Sequence, residues 1–161
     1  MLEQLESSEF SSLIRSELWG WPLALTVHAL GTALLVGFVL IICLRLIGLF
    51  ELIPYTSLNR LFPVVWIALL VQILSGAVLW STKPTRYVAD GAFMVKLALI
   101  AVGIVLTMYF QRTIRREAGS WQAKGAISSP MARFVAFTLI LWCSVVVAGR
   151  LTGYLGSLPI G

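Results

Sequence analysis

Four long apolar runs, separated by short polar stretches, set the plan of this chain. They cover about 22–48, 61–82, 92–111 and 130–155. About 20 apolar residues are enough to cross the hydrocarbon core of a bilayer as a helix, so each run is long enough to span. Between them stand Pro54 and Asn59, then 83–91, then a polar stretch over 112–129 that contains Gly119, Gly125 and Ser-Ser-Pro. These breakers and charges predict three connections. Pro22 and Pro130 suit first helical turns. Asp90 is placed to cap the third helix, and Ser129 the fourth.

The first 19 residues follow a different pattern. Leu2, Leu5, Phe10, Leu13, Ile14 and Leu18 recur at roughly helical spacing among glutamates and serines. Such a stretch is too polar to span but suits a helix lying in the interface, with Trp19 and Trp21 as anchors. The glutamates leave no basic region of a signal-peptide kind, so the first apolar run is expected to remain as an anchor. The pattern therefore predicts an all-α integral membrane four-helix bundle (20–161) with an N-terminal interfacial amphipathic helix (1–19).

Composition agrees. Of 161 residues, 59% are hydrophobic and 12% charged, against roughly 45–50% and about 25% in soluble domains. The net charge of +5 reads as membrane topology, because the basic residues flank apolar runs and no basic-aromatic surface suited to nucleic acid is interleaved. Arg45, Arg60, Arg112, Arg115, Arg116, Lys124 and Arg133 fall on one side of a four-span layout. Most of the acids fall on the other: Glu3, Glu6, Glu9, Glu17 and Asp90. The positive-inside rule then puts both termini outside, in the periplasm if the membrane is a bacterial inner membrane. Cys43 and Cys143 lie in apolar runs without a CxxC pair and read as small buried hydrophobes. Ala33/Gly37 and Gly149/Gly153 are small-xxx-small pairs that favour close packing, within the chain, in a homo-oligomer or with a membrane-protein partner.

His28 is the only histidine, and it stands inside the first span. An ionisable group at membrane depth points to function or to a specific partner. Counted from the outer end, His28, Lys96 and Arg150 come to similar depth, with Gln72 and Ser75 somewhat deeper on the second span. Three basic groups without a matching acid call for an anionic or electron-rich ligand. Haem b is one such ligand: His28 would supply the iron nitrogen, and Lys96 and Arg150 would meet propionates. The sixth iron position would then be filled by Lys96, a methionine such as Met94, a second chain, or nothing at all. A quinone is the alternative, held by donors from His28, Gln72 and Lys96. The plainer possibility is that Ser75, Gln72 or a backbone carbonyl satisfies the ring, while Lys96 and Arg150 snorkel to the interface. A structural or assembly subunit, or a small transporter, are the other classes open. No nucleophile-base pair, carboxylate pair or phosphate loop favours hydrolysis or phosphoryl transfer.

Five stretches carry a resemblance. They are His-Ala-Leu-Gly-Thr-Ala-Leu-Leu-Val-Gly (28–37), Leu-Arg-Leu-Ile-Gly (44–48), Ser-Gly-Ala-Val-Leu-Trp-Ser (75–81), Tyr-Val-Ala-Asp-Gly-Ala-Phe-Met-Val-Lys-Leu (87–97) and Val-Ala-Gly-Arg-Leu-Thr (147–152). Over nearly its whole length the chain resembles an uncharacterised family of small bacterial four-helix inner-membrane proteins. In its first-helix histidine and third-helix lysine it is more distantly similar to HemJ-type protoporphyrinogen oxidases and the copper-resistance D membrane domain. What the HemJ resemblance implies is a haem-associated role for His28 and Lys96.

Overall fold

The computed structural model describes residues 7–16 and 18–155, with the backbone alone at 10, 15 and 152–155. Helix α1 is Glu9–Ser16 and α2 is Gly20–Leu46. A 3-10 turn, Tyr55–Leu61, runs into α3, Phe62–Thr82. A short α4, Pro84–Ala89, precedes α5, Gly91–Lys124, and α6 is Ser129–Leu155. Among the described residues there is no strand. Helices α2, α3, α5 and α6 are long and apolar enough to cross a membrane, so the chain is an all-α four-helix membrane bundle. Leu30, Leu34, Ile67, Leu70, Val105 and Ile140 point outward and stay exposed, the inverse of a soluble bundle, as a lipid solvent requires.

Of the amphipathic N-terminal segment, α1 lies within the described residues and packs on α2 and α3. Ile14 is buried there, against Gly20: a Cβ on Gly20 would fall 2.7 Å from the Ile14 carbonyl oxygen. Residues 1–6, Glu17 and the tail 156–161 lie outside the described residues. The expected caps are partly realised. Asp90 Oδ1 accepts the Ala92 N–H at 2.9 Å, while α6 starts at Ser129 itself, with Pro130 in its first turn. Helix α2 ends in a Schellman motif, in which the Leu49 N–H reaches the Leu44 carbonyl and the Gly48 N–H the Arg45 carbonyl. Gly48, at φ +103°, supplies the left-handed residue that this motif needs.

The largest departure from the sequence reading is α5. The stretch from 112 to 124 continues the helix instead of forming a loop, and α5 runs for 34 residues, about 51 Å at 1.5 Å per residue. Phe110, Ile114, Ala118 and Trp121 are all buried on it, at spacings of four, four and three that keep one face inward. That face packs on the 3-10 turn. Tyr55 meets the Trp121 ring edge-on at 6.3 Å, and its N–H donates to Gln122 Oε1 at 2.8 Å. The Arg45 guanidinium lies 3.9 Å over the Tyr55 ring, and Arg45 Nε–H donates to the Ile53 carbonyl. Gly125, at φ +72°, then ends the helix.

The two ends of the bundle differ. At the end holding the 3-10 turn, Ile42, Cys43, Leu58, Phe62, Phe110 and Ile114 form a closed core. At the other end α5 has no buried residue before Gly103, and α3 makes little direct contact with α5 or α6. The bundle is two tight hairpins, α2/α3 and α5/α6, joined firmly at one end and parted at the other.

Of the two small-residue pairs, Ala33/Gly37 faces outward. Ala33 is exposed, and a Cβ on Gly37 would meet nothing within 4 Å, so this pair seats no helix of the same chain. Cys143 is exposed while Cys43 is fully buried, so only one of the two cysteines is a core residue.

Candidate functional site

His28 lies at the parted end of α2. The facing helix α3 brings Gln72, Ser75 and Gly76 onto one face by their spacing of three and four. Two glycines allow the approach. Gly76 lies under the imidazole, where a Cβ would come 3.2 Å from His28 Cε1. Gly31 lies under Gln72, where a Cβ would come 3.0 Å from Gln72 Oε1. Each helix thus gives up a side chain where the other presents a polar one. This is how polar contacts between membrane helices are brought to bonding distance.

Both ring nitrogens of His28 are engaged. Nδ1 stands 2.9 Å from Ser75 Oγ, and Nε2 stands 2.9 Å from Gln72 Nε2. The Ser75 hydroxyl donates to the Val71 carbonyl at 2.6 Å, so its oxygen is left to accept from Nδ1–H. That makes Nε2 the acceptor of a Gln72 amide proton, and Gln72 Oε1 accepts from the Thr32 hydroxyl at 3.1 Å. Thr32 also reaches the His28 carbonyl at 2.9 Å. With this assignment of hydrogens the ring is neutral with its proton on Nδ1, and the Thr32 and Ser75 hydroxyls each have a second acceptor, the latter the Gln72 carbonyl at 3.3 Å.

Beside this network, in the gap between the hairpins, is a cavity of about 430 Å³. Its walls come from His28, Thr32 and Gln72 on one hairpin and from Phe93, Met94, Lys96 and Trp142 on the other, with Trp80 and Val88 toward its end. Nearly all the wall is apolar. The size suits a small ligand, since such pockets run from roughly 300 to 1,000 Å³ and carry few polar groups.

Two donors on residues of this wall lack a protein acceptor. Lys96 is half-buried, with its ammonium against Gly149: a Cβ there would lie 3.4 Å from Nζ. It makes no ion pair or hydrogen bond with any described residue. Asp90, the nearest acid in sequence, is committed to the cap of α5. Trp142 is 2% exposed and its Nε1–H has no acceptor. Buried polar groups are nearly always paired, so the unmatched ammonium of Lys96 is a feature to be accounted for, while the Trp142 N–H is covered by protein and does not open onto the cavity.

Of the residues singled out in the sequence, the fold brings His28, Gln72 and Lys96 to one cavity, with Ser75 behind the imidazole. Arg150 is exposed and is not part of the wall. Trp80, near the end of α3, also lines the cavity. Trp142, Thr32 and Gly31 were not anticipated. Trp142 carried a signal: it stands at the centre of its span, away from the interfacial belts where membrane tryptophans concentrate.

A haem iron needs a free imidazole nitrogen, and here neither ring nitrogen is free. As arranged, the ring does not fit an axial ligand unless Gln72 leaves Nε2. Among the described residues no three His, Cys, Asp or Glu side chains converge as a metal set. Comparison with protein families, with curated proteins and with solved structures finds no match for this chain.

Proposed function

We propose that this protein is a membrane-embedded binding protein for a quinone-class ligand, an apolar ring bearing carbonyl acceptors, held in the cavity between the two hairpins. The observation that carries this reading is an unmatched ammonium, Lys96 Nζ, in an otherwise apolar wall rich in aromatic rings. A ligand with oxygen acceptors on a flat apolar body answers both requirements at once. Trp80, Phe93 and Trp142 offer aromatic surface to such a ring. The His28–Gln72–Ser75 network sets the wall and its polarity. The cavity lies in the outer half of a multi-pass inner-membrane protein with periplasmic termini, the orientation that the loop charges favour.

The test is titration of purified full-length protein in detergent with a short-chain quinone, read by quenching of tryptophan fluorescence. Saturable quenching that weakens several-fold in Lys96→Leu supports the reading. Quenching that rises linearly, as simple partition into the micelle gives, refutes it.

Haem b is the second reading. What favours it is that His28, Met94 and Lys96, three side chains able to ligate iron, share the wall of one cavity. It requires Gln72 to give up Nε2. A Soret band in protein made with ample haem, lost in His28→Ala, would place haem ahead of quinone; no band would remove it.

A further inference from the structure

The end of the bundle away from the cavity has its own unmatched charge. Arg60, Arg112, Arg115, Arg116 and Arg133 are all exposed there, with Glu51 and Glu117 as the acids. The packing sets these arginines at about one depth. Phe134 meets Tyr109 at 5.1 Å and Phe110 at 5.9 Å, which brings Arg133 of α6 level with Gln111 and Arg112 of α5. Trp66 Nε1–H donates to Gln111 Oε1 at 3.0 Å, fixing α3 at the same level. One turn further on, Arg115 Nε–H donates to Asn59 Oδ1 at 3.0 Å, which ties the 3-10 turn carrying Arg60 to α5. None of the five arginines is ion-paired with a described residue.

The level is one the apolar part of the bundle defines. Phe110 and Ile114 are buried in the core, and the arginines begin where the outward apolar surface of α5 stops after Met108 and Tyr109. They therefore stand where lipid headgroups begin. The bond to Asn59 holds the Arg115 guanidinium by Nε and leaves its two terminal nitrogens for an oxyanion, a geometry that a planar fork uses well on phosphate.

We propose that this face binds the phosphate of an anionic phospholipid, with Arg112, Arg115 and Arg116 of α5 as the principal contacts and Arg60 beside them. Basic sites next to membrane helices recognise anionic headgroups by this chemistry. The depth of the arginines and their lack of acidic partners favour a lipid over a soluble partner. The inference is independent of what the cavity holds.

The experiment uses full-length protein in a neutral detergent. Retained lipid is read by native mass spectrometry and thermal unfolding is followed after adding phosphatidylglycerol, phosphatidylcholine or inorganic phosphate. Phosphatidylglycerol should be retained selectively and raise the unfolding temperature, and the effect should shrink as salt rises. Arg112→Gln/Arg115→Gln/Arg116→Gln should weaken retention by roughly a hundredfold, since each such cation contributes about fivefold to anionic-lipid binding. Lys83→Gln/Arg86→Gln, at the other end, should leave it unchanged. Equal effects of phosphatidylglycerol and phosphatidylcholine overturn the proposal, as does inorganic phosphate matching phosphatidylglycerol or a triple variant that binds like wild type. The comparison of lipids on the wild-type protein stands even if the triple variant folds poorly.

Discussion

Replacing His28 and Gln72 by leucine, singly and together, measures how much the polar network holds α2 to α3. In His28→Leu two interhelical bonds are lost, those to Ser75 and Gln72. Ser75 keeps its bond to the Val71 carbonyl and Gln72 Oε1 keeps Thr32, so only the Gln72 amide N–H is stranded. Interhelical hydrogen bonds in membrane proteins average about 0.6 kcal/mol, with a maximum of about 1.7, and a stranded buried donor costs about 1–3 kcal/mol. His28→Leu should therefore destabilise by about 2–3 kcal/mol. Gln72→Leu loses the bonds to His28 and Thr32 and strands His28 Nε2, for a similar cost of about 2–3 kcal/mol.

The double variant strands neither group. Its cost should be about 2 kcal/mol, three lost bonds of ordinary size, well below the sum of the singles. The difference, a coupling of at least 1 kcal/mol or so, is the quantity to measure. Reversible unfolding from mixed micelles into SDS, followed by helical circular dichroism, gives all four corners of the cycle. If the single effects add to within about 0.5 kcal/mol, His28 and Gln72 do not bond to each other, and the case against an axial His28 falls with them.

Three further outcomes follow from the same geometry. Trp142→Phe removes the orphan N–H while keeping a ring against Gly103; stability should hold or rise by up to about 1 kcal/mol, and a loss of stability in the micelle assay would show that the N–H has a partner. Gly76→Ala places a Cβ 3.2 Å from His28 Cε1 and must push the ring off α3, costing about 1–3 kcal/mol as overpacking does; no loss in the same assay would mean that the helices are farther apart. Trp121→Ala should cost about 3–5 kcal/mol, the usual value for a buried aromatic, because Trp121 is 3% exposed against Tyr55; a neutral result would return 112–124 to the status of a loose connection.

The spans were legible because their signal, apolar length, is local and strong. The end of α5 was not, because charge and helicity were read as one property. Arg112, Arg115 and Arg116 do mark where the outward surface turns polar, but Ile114, Ala118 and Trp121 keep the inward face apolar at helical spacing, and the helix follows that face. Depth counting found Lys96 beside His28 and also nominated Arg150, because depth fixes the level of a residue and not its face. Trp142 and Arg150 are eight residues apart, an offset of about 80° on a helix of 3.6 residues per turn, enough to take one to the cavity and the other to the outside. The small-residue pairs show a related point. Spacing within one helix does not tell what stands opposite; the glycines that matter, Gly31 and Gly76, are on different helices, each beneath the other helix's polar side chain.

A gap between membrane helices does not stay empty in a bilayer, since a lipid chain can enter an apolar cavity at little cost. Selectivity must then come from what a hydrocarbon chain leaves undone. In the cavity beside His28 that is the matching of Lys96 Nζ, a donor with no acceptor among the described residues. A hydrogen bond to a charged donor contributes about 1.5–3 kcal/mol and one between neutral groups about 0.5–1.5 kcal/mol. A ligand whose oxygen meets Lys96 is favoured over a lipid chain of equal apolar surface by about 1.5–3 kcal/mol. Lys96 is therefore the residue on which discrimination rests. Lys96→Leu should leave the affinity for a purely hydrocarbon ligand unchanged while lowering that for a carbonyl-bearing one by roughly ten- to a hundredfold, and equal losses for both would mean that the lysine shapes the cavity without reading the ligand.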